Sequence, residues 1–357
     1  MKSAENYYSK DFEWEQLKQD VENDPSLLYH FTPYTNPATG TQDLDPPPPS
    51  SSSLPKQDSE AWNKFHTRHS TGKFFKERRY LLKEFPEIAS CDKYSIVLEV
   101  GCGNGSTALP ILRGNEGIFL YGCDCSGEAV QRTKENINAA NLASADHRFY
   151  LFQCDFSASR FPRWLICNSC RESSLPERRA WSPDSNCNWK RYFPDPSCLV
   201  GNSCCMGGVD FLTLVCAISV YNSIKSFTRK LLNFEYFLVY ANMQIFTLSA
   251  LPIHRMPIAI HECLSVLRPG GLLLFRDYGL YDMTMLRFEP EQRVGFREYM
   301  RCDGTRSYFF CLESVRDLFC SAGFVEVELE YCCVKSVNRR NGKSMKRVWV
   351  HGKFQKP

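Results

Sequence analysis

The 357-residue chain is predicted to fold as an α/β protein, a doubly wound, Rossmann-like sheet of seven strands with a helical N-terminal extension. Three observations predict it. Residues 96–105 (IVLEVGCGNG) form an apolar run that ends in an acid and passes at once into glycines spaced G-x-G-x-G. Residues 119–124 (FLYGCD) and 149–155 (FYLFQCD) repeat the strand-then-acid pattern downstream. Helical stretches separate these strands, and such alternation is the mark of parallel βαβ units.

Taken in order, the N-terminal residues 11–29 read as one short helix. Residues 32–59, with Pro46 to Pro49 and Ser50 to Ser53, read as a low-complexity linker that forms no packed element. Residues 60–85 read as helical, with Trp62, Phe65, Phe74, Phe75, Tyr80 and Leu81 as their apolar residues and Pro86 as the stop. The core then runs strand 96–100, helix 105–112, strand 118–123, helix 126–140 and strand 148–154. A strand at 209–214, a helix at 256–267, a Pro-Gly-Gly turn at 269–271 and a strand at 272–275 follow. Helix 312–321 leads into 324–331 and 347–353, an antiparallel pair at the sheet edge. The expected organisation is an acidic, largely disordered segment 1–59, a helical capping segment 60–90, and one large domain, 91–357.

Composition narrows the function classes. Hydrophobic residues make up 43% of the chain, and no run of 18 apolar residues occurs, so no membrane span is expected. The N-terminus lacks the pattern of a secretory signal, and its acids argue against a transit peptide. Eighteen cysteines without such a signal imply reduced thiols and a cytoplasmic or nuclear protein. The net charge of +3 hides an asymmetry: residues 1–60 hold 4 Lys/Arg against 11 Asp/Glu, leaving 39 against 29 in the rest. Bases interleave with aromatic residues at 64–79 (KFHTRHSTGKFFKERR), and residues 335–357 carry eight bases and no acid. Charges that neutralise phosphate, set beside rings that stack on unstacked bases, suit nucleic acid, although a solvated helix face or a charged strand edge would look the same.

The glycine loop lets backbone approach a ligand closely, because glycine has no Cβ. Its departure from G-x-G-x-x-G and the two later strand-terminal acids resemble the class I S-adenosylmethionine-dependent methyltransferases rather than a dinucleotide dehydrogenase. Longer motifs sharpen the resemblance: WNKFHTRHSTGKFF at 62–75, LEVGCGNG, FQCDFS at 152–157, LFRDYGLYDMTMLRF at 274–288 and RCDGTRSYFF at 301–310 are similar to the eukaryotic tRNA N3-methylcytidine methyltransferases. The likeness spans residues 60–162 and 207–357. It implies S-adenosyl-L-methionine as cofactor, cytidine 32 of the tRNA anticodon loop as target, and tRNA as partner. Delivery of the tRNA by an aminoacyl-tRNA synthetase is left open. A methyltransferase for protein or small molecules, and a non-catalytic tRNA-binding scaffold, are the alternatives.

Carried over by position, the resemblance implies cofactor contacts at Gly101, Asp124 and Asp155, with Phe156 beside the adenine, Ile245 on the fourth strand and Trp62 closing over the site. His66 stands where the family has tyrosine. Glu99 and Gly103 complete the loop motif. Chemically, Asp124 suits the ribose hydroxyls and Asp155 the adenine amino group. Methylation at cytidine N3 leaves a cationic base, so Asp277, after the fifth strand, is the expected catalytic carboxylate, with Arg276 and Tyr278 beside it. Tyr278 and Tyr281 are candidates to stack on the base. RNA contacts are expected from Lys73, Lys76, Arg78, Arg301, Arg306, Tyr308, Arg339 and Arg340, with ion pairing to Asp303 as the competing role for the arginines.

Two segments depart from the pattern. Residues 163–208 insert six cysteines; Cys167-x-x-Cys170 is half of a zinc knuckle, but no second C-x-x-C follows, so the expectation is a loop of free thiols and no metal. Residues 215–244 separate VDFLTL from IFTLSAL. This 30-residue block is rich in Phe, Tyr, Asn, Leu and Lys, begins with valine and ends with glutamine, as an in-frame intron retained between GT and AG would. The rival is a genuine insertion helical over 221–240. In either case Val215 and Ile245 compete to follow Leu214 in the fourth strand.

Overall fold

A computed structural model describes residues 10–34, 54–68, 77–91, 95–142, 148–166, 209–213, 244–245, 247–337 and 344–357. Among them the elements are α1 (Trp14–Glu22), α2 (Leu54–Arg68), α3 (Leu81–Glu84), α4 (Pro86–Ser90), β1 (Ile96–Val100), α5 (Ala108–Gly114), β2 (Phe119–Asp124), α6 (Gly127–Ala139), β3 (Phe149–Gln153), α7 (Phe156–Ser159), β4 (Val209–Thr213) and β5 (Gln244–Ile245). There follow α8 (Met256–Val266), β6 (Leu267–Tyr278), β7 (Arg293–Gly295), β8 (Glu298–Met300), β9 (Arg306–Tyr308), α9 (Leu312–Ser321), β10 (Val325–Val337) and β11 (Ser344–Gln355).

The main sheet runs β10-β11-β6-β4-β1-β2-β3, with β5 also on β6. Pairings from β3 to β6 are parallel and the β6-β11-β10 pairings antiparallel, as the alternation and closing hairpin predict. A strand covered on both faces reads as a continuous apolar run, and Val97, Leu98 and Val100 of β1 are buried together with Leu120 and Cys123 of β2. One core lies under α3, α5 and α6; the other lies under α8 and α9, where Phe319 stacks on Phe354 at 4.2 Å.

Several expectations are corrected. The helix foreseen over 60–85 is instead the end of α2 and the short α3, with 69–76 outside the described residues. Helix α3 ends at Glu84, just before Pro86 as expected, and Pro86 also opens α4, because proline's fixed φ and missing N–H suit the first helical turn. Helix α2 begins at Leu54, inside the supposed linker. The Pro-Gly-Gly segment is no turn: β6 passes through it, Gly270 N–H donates to the Lys356 carbonyl, and Lys356 N–H donates to that of Gly271. Strands β10 and β11 are also longer than expected, and the small β7-β8-β9 sheet was not foreseen because its three-residue strands carry no periodicity to read. Among the described cysteines ten are free thiols, as expected, but Cys102 is disulfide-bonded.

The largest correction is the N-terminal segment. Residues 10–34 pack as α1 and a 3-10 turn, Pro25–His30, rather than one helix or disorder. Pro25 breaks the helix, and the Asp24 carboxylate caps the turn by accepting from Ser26 N–H. Leu17 and Val21 bury against Leu280, Tyr281, Met285 and Phe288, while Trp14 stacks on Tyr331 at 4.5 Å. The acids that suggested disorder meet the basic body, Lys346 pairing with Asp20 at 3.2 Å and Lys335 N–H donating to Asp11.

His30 is buried in this junction, its Nδ1 2.7 Å from the Tyr299 hydroxyl. Burial, then the nearby Arg293, lowers its pKa from 6.5 to about 4. The unfolded chain therefore binds the proton more readily, so the stability supplied by neutral His30 is complete above pH 6.5 and lost as pH falls towards 4. At about 1.4 kcal/mol per unit, the stake is on the order of 3 kcal/mol. The melting temperature is expected to fall over this window, and His30→Asn to flatten the fall; equal slopes in both proteins would remove His30 as the cause.

Candidate active site

The glycine loop lies where β1 ends. Gly101 has φ +84°, a conformation that favours glycine, and a Cβ there would lie 2.4 Å from Thr247 Oγ1. Thr247 follows β5 and donates its hydroxyl to the Val100 carbonyl at 3.0 Å, so the segment after the fourth strand is clipped to the loop. At the end of β2, Asp124 accepts from Gly103 N–H at 3.0 Å and from Ser126 N–H at 2.8 Å. Ser126 in turn caps α6. Burial pushes the Asp124 carboxyl up from its ordinary value, against the pull of His66 and these two N–H donors.

Helix α2 lies across this loop. His66 Cε1 is 3.6 Å from where a Cβ on Gly103 would stand. Asn63 Oδ1 accepts from the Ser126 hydroxyl at 2.9 Å, and the Ser59 hydroxyl donates to Asp155 Oδ2 at 3.0 Å. Trp62 is half-buried and packs against Phe65, with ring centroids 5.4 Å apart. Asp155, beyond the end of β3, also accepts from Ser157 and lies 3.8 Å from Arg255 Nη2. Thus Trp62, His66, Gly101, Gly103, Asp124 and Asp155 stand along the ends of β1, β2 and β3 with α2 over them. Glu99 is buried in β1, one residue short of the loop. Phe156, expected beside the adenine, is buried and stacked on Phe161 at 5.2 Å, which assigns its ring to the core. Ile245 is placed by backbone register, opposite Arg276. A loop that leaves no room for a Cβ, beside a buried carboxylate, fits a ligand carrying a ribose diol.

The fourth strand is continuous in space although interrupted in sequence. Leu212 pairs with Leu273, Gln244 with Phe275 and Ile245 with Arg276. By register Gln244 and Ile245 lie two and three places beyond Leu212 along β6, and the contest between Val215 and Ile245 falls on Leu214 and Val215, outside the described residues. Residues 214–243 lie outside the described residues, as does the cysteine-rich stretch 167–208.

The expected catalytic trio separates. Asp277 is fully buried; Oδ2 accepts from Ser249 N–H at 2.9 Å and Oδ1 from Tyr278 N–H at 2.8 Å. Burial pushes its carboxyl up to about 7, opposed by hydrogen bonds from Ser249 and Tyr278. It acts on the Leu248–Ala250 turn, which Thr247 joins to the glycine loop. Arg276 is corrected from a catalytic candidate: it is ion-paired with buried Glu84 and lies over the Tyr80 and Trp349 rings, because alternation in β6 turns it away from Asp277. Tyr278 shares that face, between Trp349 and Phe309 at 5.3 Å from each. Tyr281 is not available to stack on a base: it is buried, its hydroxyl donating to Glu22 at 2.6 Å.

The RNA candidates also divide. Arg306 is committed to Asp58 at 3.2 Å and Glu298 at 3.0 Å, and Tyr308 is core, so both are corrected. Arg78 is tied through its backbone to Ser106. Arg301 heads the turn before β9 and forms no ion pair among the described residues, and Asp303 is instead held by Thr305. Lys73, Lys76, Arg339 and Arg340 lie outside the described residues. Among those residues no group of three or more His, Cys, Asp or Glu is arranged to hold a metal, and no helix is long and apolar enough to cross a membrane. Asp58, Ser59, Asn63, Thr247, Ser249 and Arg255 were missed by sequence reasoning. The polar residues inside the apolar run IFTLSAL were the available signal for Thr247 and Ser249.

No family profile matches the chain. The chain is 32% identical over 308 residues to the rat tRNA N(3)-cytidine methyltransferase METTL6, covering 85% of this chain and 81% of that protein. It is 30% identical over 303 residues to the fruit fly tRNA N(3)-methylcytidine methyltransferase Mettl2, covering 83% of this chain and 70% of that one. Among solved structures, a SAM-dependent methyltransferase from Anabaena variabilis superposes with a TM-score of 0.47 at 10% identity, covering 84% of this chain and 95% of that one.

Proposed function

The chain belongs to the tRNA N3-cytidine methyltransferase family and is an S-adenosylmethionine-dependent enzyme of tRNA cytidine, and from that premise we propose that it methylates N3 of cytidine 32 in the anticodon loop, in the cytoplasm or nucleus. The observation that carries the reading is the loop itself: Gly101 at positive φ, closed on its far side by Thr247 and tied through Gly103 to buried Asp124.

Cytidine N3 has a free lone pair at neutral pH, so the transfer needs alignment and access more than a general base. Bound in the loop, S-adenosylmethionine supplies an electrophilic methyl group on a sulfonium. The protein's part is to hold and orient. Asp124 accepts from the ribose hydroxyls, with Gly103 N–H and Ser126 N–H keeping its carboxylate aimed. Asp155 accepts from the adenine amino group. Trp62 and His66 on α2 exclude water. N3 lies on the Watson-Crick edge, so the target must be an unpaired loop nucleotide splayed into the site.

Arg301 supports the RNA side: it forms no ion pair among the described residues, and it lies close enough to Tyr278 for its charge to oppose the burial that raises that tyrosine's pKa. Arg301→Ala is expected to weaken tRNA binding and to reduce its log-log salt slope by about one unit, with cofactor affinity unchanged. An unaltered slope would place the RNA elsewhere. Delivery of the tRNA by a partner such as an aminoacyl-tRNA synthetase is compatible with this site. The substrate assignment is tested by transfer of labelled methyl from S-adenosylmethionine in tRNA-containing extract: RNase is expected to abolish it, whereas RNase-insensitive labelling of protein or small molecules would overturn it.

A further inference from the structure

Among the described residues, Asp58 joins helix α2 to the body through ion pairs with two arginines. Asp58, in its second turn, is 3.7 Å from Arg255 Nη1 through Oδ2 and 3.2 Å from Arg306 Nε through Oδ1. Arg255 ends the turn Ile253–Arg255 and immediately precedes α8; its side chain is 7% exposed, and Nη2 lies 3.8 Å from Asp155. Arg306 continues the chain to Glu298. Charges therefore alternate from Glu298 through Arg306, Asp58 and Arg255 to Asp155, linking the β7-β8-β9 sheet, α2 and the end of β3. The Arg255 contacts are ion pairs too long to be hydrogen bonds, and neither Nη1 nor Nη2 has a hydrogen-bond partner. A buried guanidinium left in this state is costly, and losing its carboxylate neighbours would cost more.

We propose that Arg255 is a positioning residue that latches helix α2 over the cofactor loop, by sharing its guanidinium between Asp58 of the helix and Asp155 of the site. The inference rests on the cofactor reading above. Three of the other α2 contacts, Ser59 to Asp155, Asn63 to Ser126 and His66 beside Gly103, involve small polar groups or an imidazole at the rim. Asp58 is the carboxylate in this set, and it faces two arginines from two different elements. Filling the loop draws on Asp155, and the same arginine feels both events, so closure of α2 and cofactor occupancy are coupled. Removing Asp58 breaks both arginine contacts of the helix, whereas removing Arg255 leaves Arg306 on Asp58; neither change touches the glycine loop or Asp124.

The test uses the full chain with Asp58→Asn, Arg255→Lys, Arg255→Met and the double variant Asp58→Asn/Arg255→Met. Amide exchange over residues 58–68, measured without ligand, is expected to quicken about tenfold in Asp58→Asn, by less in Arg255→Met, which leaves Arg306 on Asp58, and in the double variant no further than in Asp58→Asn, because coupled residues are non-additive. Arg255→Lys, which keeps the charge, should restore most of the protection. With S-adenosylmethionine varied, the KM is expected to rise while kcat at saturation changes little, a split that general loss of packing would not give. Unchanged exchange in Asp58→Asn, or effects that simply add, would overturn the latch. Failure of the unaltered protein to bind S-adenosylhomocysteine would sink the cofactor reading instead, and the ligand-free exchange would still decide the latch.

Discussion

Asp124→Ala is expected to lose S-adenosylmethionine binding, with affinity down at least about a hundredfold. The carboxylate does three things at once. It accepts from Gly103 N–H, accepts from Ser126 N–H, and is the acceptor offered to the ribose hydroxyls. Alanine leaves the buried Ser126 N–H unmet at about 1–3 kcal/mol, leaves the part-buried Gly103 N–H unmet at a smaller cost, and removes a charge-assisted bond to the ligand worth about 1.5–3 kcal/mol. Part of the first cost appears as lost stability, since Ser126 starts α6; the rest appears as a glycine loop no longer held to β2. Asp124→Asn retains one acceptor but points an amide donor at a donor, so it should recover little. Calorimetry with S-adenosylhomocysteine checks this, and unchanged affinity in the alanine variant would show that the loop binds its ligand without β2.

Deletion of residues 215–244 is expected to raise the melting temperature and to restore or increase cytidine methylation. In the full chain Leu212 lies opposite Leu273 and Gln244 opposite Phe275, so 30 residues intervene in sequence between Thr213, which ends β4, and Gln244, which resumes along β6. Closing a loop of that length costs on the order of 1–3 kcal/mol. After deletion Leu214 takes the place of Gln244 opposite Phe275, Ile245 keeps its place opposite Arg276, and the run reads VDFLTLIFTLSAL. Register is preserved, so no side chain changes face. Thr247 and Ser249, which tie this strand to Val100 and Asp277, would then be held by an unbroken β-strand. A deleted form both less stable and less active would make the block an evolved element and contradict its origin as a retained intron. Sequencing mature transcripts is an independent check, since transcripts lacking the block are expected.

Much of the sheet was legible because its strands are buried on both faces and read as plain apolar runs closed by acids or glycines. Gly101, Asp124 and Asp155 were legible for the same reason: each ends such a run. Function at the substrate end was less so. Arg276, Asp277 and Tyr278 are adjacent in sequence, but alternation in β6 sends Asp277 to the Ser249 turn and the other two to Glu84 and Trp349, and no local pattern shows what waits on either face. Arg306 looked like a phosphate ligand because its partners, Asp58 and Glu298, come from remote or featureless segments. The N-terminal acids suggested disorder because their partners, among them Lys346 and the Lys335 amide, lie more than three hundred residues away.

The central claim is tested most directly by incubating the purified protein, in full and deleted forms, with S-adenosylmethionine and unmodified tRNA, then digesting the RNA for nucleoside mass spectrometry. The account predicts 3-methylcytidine, mapped to the anticodon loop, with the deleted form at least as active. Methyl groups on a different nucleoside, or none from either form while S-adenosylhomocysteine binds, would contradict it.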